Sequence, residues 1–133
     1  MAAAAKNEKG EKWSSDLVLL DLYSNLLTEM WELVSALIGE AILAYLFILA
    51  IRKIGEKYPF LNSIKVSEDG VSMEEVKQDY RTVAAVDIHR GFQSLINHLS
   101  QLFSALAEGV INKELFPMVF PKFKEAERII FQK

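Results

Sequence analysis

The chain has 133 residues, of which 51% are apolar and 25% charged, a composition suited to one globular domain and unlike that of a disordered segment. Fifteen basic residues against 18 acidic ones, a net charge of −3, leave no basic footprint for a nucleic-acid backbone. The absence of cysteine and the presence of only two histidines exclude a disulfide framework, a thiolate zinc site and a cysteine nucleophile, so no metal or cofactor is expected.

Residues 1–13 are read as a flexible tail ahead of a single helical domain at 14–133. The opening MAAAAKNEKGEK lacks the apolar stretch of a secretory signal peptide. No glycosylation acceptor and no lipidation signal is visible, which points to a cytoplasmic location. A first helix is expected to begin at Ser14 or Ser15, either of which offers a hydroxyl cap, with Asp16 at the positive end of the helix dipole. It should run to about Lys57, a length of roughly 60 Å, unless Gly39 kinks it. Gly55 and Pro59 supply the stop.

Within that helix, residues 33–51 (LVSALIGEAILAYLFILAI) contain one charge, Glu40, and are closed by Arg52 and Lys53. A stretch of this length and character can span a bilayer, although Glu40 near its middle argues against that.

After the stop, Ile64 and Val66 alternate with polar residues and Glu68, Asp69 and Gly70 turn the chain toward Val71, which reads as a small β-hairpin. Ser72 and Glu75 have the spacing of a capping box, with Val71 and Val76 as a hydrophobic staple, so a short helix should start at Met73. A break near residues 79–82 separates it from a second long helix, which Gly109 interrupts. In the last segment Asn112 is expected to cap a final helix, and Pro117 and Pro121 to kink or restart it. That segment, with five basic and three acidic residues from Lys113 onward, reads as a mildly basic amphipathic end that covers the bundle.

A shift of 69 residues lays 26–47 over 95–116 without a gap, and matches Leu26, Leu33, Ser35, Ala36, Leu37, Ile42, Leu46 and Phe47 with identical residues. The internal repeat is assigned to about 19–54 and 88–123. Phase carries more information than identity. Leu19, Tyr23, Leu26, Met30, Leu33 and Leu37 step by four and three, and map onto Ile88, Phe92, Leu95, Leu99, Leu102 and Leu106. These are heptad seams, which hold helices side by side. A flanking line, Leu20, Leu27, Val34 and Ala41 against His89, Ile96, Phe103 and Val110, widens each stripe. Asn97, His98, Gln101 and Glu108 keep the second copy out of a membrane, so the first is placed in a protein core as well. Complete burial in so short a chain calls for a second subunit, and a homodimer supplies it.

Chemistry-bearing residues are few: His89, His98, Asp87, Arg90, Glu29, Glu32 and Glu40. His89 and His98 lie nine residues apart, on opposite borders of the seam. Across a dimer axis two copies of His98 could meet. The repeat places Glu29 opposite His98, where it could form an ion pair or orient a metal ligand. No Glu-x-x-His pattern marks a dinuclear centre, and Glu29 and Glu32 fit a solvated face. Glu40 among Ile38, Ala41, Ile42 and Leu43 is expected to be partly buried and to seek Arg52, His89 or Arg90, or else to escape to solvent at a Gly39 kink. Phosphate-binding loops and nucleophile elbows are absent.

The resulting expectation is a mainly α helical bundle, with two pseudo-repeated long helices and a hairpin insertion, completed by homodimerisation. It is read as a non-enzymatic interaction or regulatory module: a sensor, adaptor or signalling domain that binds a second copy or another protein. Two alternatives remain. One is a bundle that binds a hydrophobic small molecule or lipid, suggested by the apolar surplus around Phe47 and Phe116; the other is a small membrane subunit spanning residues 33–51.

Overall fold

The computed structural model describes residues 2–78, 83–106 and 110–131, with side chains for 16–78, 83–106 and 111–131. In chain order the elements are α1 (Ala2–Ile38), α2 (Glu40–Ile54), a 3-10 turn (Pro59–Ser63), β1 (Lys65–Ser67), β2 (Gly70–Ser72), α3 (Glu74–Gln78), α4 (Ala85–Ser104) and α5 (Val110–Phe131). The fold is mainly helical with one two-stranded antiparallel hairpin. Helix α1 starts at Ala2, twelve residues before the Ser14 and Ser15 caps expected from sequence.

Gly39 does more than kink a long helix: it reverses it. Its N–H completes the α1 ladder on the Ser35 carbonyl at 2.8 Å, and its own carbonyl accepts from Leu43 N–H at 3.2 Å to open α2. No backbone hydrogen bond is therefore lost at this residue. Its φ of +92° lies in a region that favours glycine. The outcome is visible in Trp31 and Phe47, whose rings meet edge to face with centroids 5.5 Å apart. In an unbroken helix their sixteen-residue separation would span about 24 Å. The apolar run at 33–51 is thus split into two arms folded on each other. No helix among the described residues is long and apolar enough to cross a membrane.

The second helical pair is antiparallel too. Asn112 near the start of α5 donates to the carbonyl of Ser100 near the end of α4 at 2.8 Å, and Glu127 near the end of α5 lies beside His89 in the first turns of α4. Asn112 therefore ties two helices together and does not cap one. Helix α5 runs through both Pro117 and Pro121 as one helix, so the expected restart does not occur. The expected interruption at Gly109 and the break near 79–82 lie outside the described residues.

The four long helices enclose one core. Leu19, Tyr23, Leu26 and Met30 on α1 and Ile88, Phe92, Leu95 and Leu99 on α4 are all buried, as are the flanking Leu20, Leu27, Val34, His89, Ile96 and Phe103. The seam fades toward the far end, where Leu33, Leu102 and Leu106 are half-buried and Leu37 is exposed. The cover comes from this chain's own helices, since α1 packs on α2, α4 and α5, and α4 on α2 and α5. The argument that these ridges need a second polypeptide to shield them therefore does not hold.

Seam residues 69 apart have similar burial in the first helix of each pair, but the matched residues of the second helices do not. Ile42 is exposed while its counterpart Ile111 is buried, and Phe47 is buried while Phe116 is exposed. Identical residues thus occupy opposite environments.

The hairpin pairs Lys65 with Ser72, Val66 with Val71 and Ser67 with Gly70 around the Glu68 and Asp69 turn, with Gly70 at φ +131°. It packs on α1 through β2 and on α2 through β1. The Ser72 hydroxyl accepts from Glu74 N–H at 3.5 Å, while Glu75 pairs with Lys65 at 3.5 Å. The Ser72 hydroxyl thus bonds one residue short of the position the expected capping box requires, Glu75 turns to Lys65 instead, and α3 begins at Glu74.

Replacing Gly39 by alanine tests the reversal. No atom lies within 4 Å of the added Cβ, so the cost is backbone strain alone, about 1–3 kcal/mol. Urea unfolding should show that loss. In a continuous helix the same substitution would stabilise the protein by about 1 kcal/mol, so the sign of the change decides between the two geometries.

Candidate functional site

The polar residues gather at the end of the bundle where α4 begins. Tyr23, at a seam position of α1, is fully buried and stacks on Phe92 with ring centroids 4.9 Å apart and planes 11° from parallel. A buried phenol needs a partner for its hydroxyl. His89 supplies it: the Tyr23 oxygen is 2.7 Å from His89 Nδ1. On the other side of the ring, His89 Nε2 is 4.0 Å from the half-exposed carboxylate of Glu127 on α5. One histidine thus links α1, α4 and α5.

Burial first, and the Glu127 carboxylate second, push the Tyr23 hydroxyl well above the ordinary phenol range. Tyr23 therefore keeps its proton and donates it to Nδ1, which leaves the ring proton of neutral His89 on Nε2, facing Glu127. Burial holds the imidazole below its ordinary value, while Glu127 opposes and Arg90 reinforces that shift. A protonated, inaccessible phenol and a sequestered imidazole make a poor nucleophile and base pair. The row is a core polar link.

Of the residues singled out by sequence, only His89 belongs to it. His98 is half-buried farther along α4, and Glu29 and Glu32 are exposed, without an ion pair to His98 among the described residues. Glu40 is exposed as the first residue of α2, where it favours the helix dipole. Of the two outcomes expected for Glu40, escape to solvent at Gly39 is the one observed, since it stands at the first position of α2. Arg52 lies at the opposite end of α2, and His89 and Arg90 lie in the first turns of α4. Among the described residues no cluster of three histidine, aspartate or glutamate side chains gathers to hold a metal.

Beside the polar row lies an open groove of about 680 Å³, where the 3-10 turn, α3 and the start of α4 meet. Its floor includes Leu20, Phe60, Val76 and Ile88, and its rim includes Lys57, Tyr58, Asp87 and Arg90. The turn approaches α4 closely because residue 91 is glycine: a Cβ there would sit 2.7 Å from Phe60 Cζ. Asp87 and Arg90, though one turn apart, form no ion pair with each other. Neither Phe47 nor Phe116, whose aromatic surplus suggested a ligand cavity, lines this groove. Phe47 is core, and Phe116 stacks on Phe120 at the surface with centroids 5.0 Å apart.

A third feature is the outer face of α2, where Ile42, Tyr45 and Ile48 are exposed by 54%, 62% and 39%. Their spacing of three places them on one side of the helix.

The polar link makes stability depend on pH at both extremes. A His89 value lower in the folded than in the unfolded chain gives stability that is complete above about pH 6.5 and lost as pH falls through the folded value. A raised Tyr23 value gives stability that is complete below about pH 10 and lost as pH rises through the folded value. In urea titrations, His89→Gln should flatten the acid limb relative to wild type and Tyr23→Phe the alkaline limb. Tyr23→Phe should also cost about 1–3 kcal/mol at neutral pH by leaving Nδ1 unpaired. Limbs that keep their wild-type slopes would count against the link.

Comparison with family models, with curated proteins and with solved structures finds no match.

Proposed function

We propose that this chain is a non-enzymatic helical interaction module that works as a homodimer, joined through the outer face of α2. The observation that carries the reading is the exposed row of Ile42, Tyr45 and Ile48, large apolar side chains on a helix whose inner face already fills the core. Exposed apolar residues aligned on one face mark an interaction surface more often than scattered ones do. Leu37, exposed at the neighbouring end of α1, adds apolar surface at the hinge.

A second copy suits this face better than an unrelated partner because α2 complements itself. Glu40 lies in its first turn, and Arg52 and Lys53 in its last. Antiparallel pairing of two α2 helices about a twofold axis near Tyr45 and Leu46 sets the acidic end of each beside the basic end of the other, as an isologous interface requires. The hydrophobic contact supplies affinity and the charges fix direction. Two bundles joined in this way present their hairpin ends at opposite extremes, an arrangement that suits an adaptor or regulatory domain.

Light scattering on a sizing column should give twice the 15.1 kDa chain mass at tens of micromolar protein. Tyr45→Glu combined with Ile48→Glu should give the single-chain mass with a unfolding free energy within about 0.5 kcal/mol of wild type, as expected for surface positions. A wild-type chain that elutes as a monomer would overturn the proposal.

A further inference from the structure

The groove at the start of α4 has no part in the α2 interface, and its chemistry is uneven in a way that selects a ligand. Its volume of about 680 Å³ falls in the range of small-molecule sites. Leu20 and Ile88 at its floor belong to the core and are rigidly held, with 0% and 1% of their surface exposed. Phe60 is braced against Phe92, edge to face at 5.7 Å. The apolar part of the site is therefore preformed.

Among the described residues the rim carries Lys57 and Arg90 against one acidic residue, Asp87. Neither cation is held in an ion pair among the described residues. The Lys57 ammonium stands over the Tyr58 ring, 5.6 Å from its centroid, a cation–π contact that favours its position at the groove. Arg90, exposed at the rim, offers planar paired donors suited to a carboxylate. An apolar floor under a rim of net positive charge fits a molecule with an apolar body and one anionic end. An uncharged hydrocarbon would leave the two cations unused, and an organic cation would face their repulsion.

We propose that this groove binds an amphipathic organic carboxylate, with its acyl or aromatic body on Leu20, Phe60, Val76 and Ile88 and its carboxylate between Lys57 and Arg90. The site is open on one side, so the ligand enters from solvent without any rearrangement of the core. Its anionic end meets two separate donors, which sets its direction along the groove.

Titration calorimetry of the full chain with decanoate, and with decanol as the uncharged control, tests the assignment. Decanoate should saturate at one molecule per chain, and decanol should bind about tenfold more weakly, the equivalent of one charge-assisted contact. Methyl NMR signals of Val76 and Ile88 should move with decanoate. Arg90→Gln and Lys57→Gln, both at the rim, should each weaken decanoate several-fold without changing decanol. Ile48→Glu, on the outer face of α2, should leave both unchanged whatever it does to the oligomeric state. Failure of decanoate to saturate, equal binding of decanol, or loss of binding in Ile48→Glu would each overturn the proposal.

Discussion

Everything in this molecule depends on the conformation of one glycine. With φ at +92°, Gly39 lets the chain turn back while its own N–H stays bonded to the end of α1 and its own carbonyl to the start of α2. A residue with a Cβ is strained there even though space is open. The consequence reaches far beyond the turn. Helix α2, of 15 residues, is only about 22 Å long, short of the roughly 30 Å of a bilayer core. Folded against α1, it contributes Leu43, Phe47 and Ile51 to the same interior that Leu26, Met30 and Val34 enter from the other side. The most apolar stretch of the chain thus becomes one wall of the bundle. The four helices then close around their own seams, and what remains outside is the opposite face of α2.

The parts of this fold legible in the sequence are those governed by local periodicity. The four-and-three stepping of Leu19, Tyr23, Leu26 and Met30, and of Ile88, Phe92, Leu95 and Leu99, corresponds to fully buried residues because a helix in a bundle presents one face for its whole contact length. The hairpin was legible from alternation and from Gly70, and the start of α3 from the Ser72 hydroxyl. The Gly39 reversal was not. A glycine between apolar residues of helical phase fits a kink, a straight helix or a turn equally well, and the sign of φ is decided by what packs afterward. Helix α5 differs from a restarted helix because the buried contacts of Leu115, Val119 and Phe123 hold one helix through Pro117 and Pro121 despite the lost donors. The exposure of Glu40 was one of two outcomes the sequence left open, and its place at the start of α2 beside Gly39 decided between them.

The polar link had a signal that sequence reasoning passed over. Tyr23 occupies a seam position whose counterpart is Phe92, and a hydroxyl placed on a buried seam must find a partner nearby. His89, on the flanking line of the opposing seam and 66 positions away, is the nearest imidazole once the two seams are set side by side. Glu127 could not be assigned, because its place beside His89 follows from α5 running antiparallel to α4, and no periodicity reports that. The groove is illegible for a related reason: it is assembled from α1, the 3-10 turn, α3 and α4, each contributing one to a few residues.

The first turns of α4 show how such different environments arise from adjacent residues. Successive side chains on a helix point about 100° apart, and residues 87 to 90 divide accordingly. Asp87 and Arg90, three apart and nearly in line, stand at the groove rim, while Ile88 forms its floor and the edge of the core. His89 points inward to Tyr23 and toward Glu127. The same Arg90 that gives the rim its positive charge also disfavours protonation of His89 next to it. The core link and the open groove therefore share a single turn, in which burial keeps the imidazole neutral, Glu127 opposes that and the rim cation acts with it. The neutral ring accepts the Tyr23 proton and holds α1 against α4, and that contact in turn fixes the Leu20 and Ile88 surface on which the groove is built.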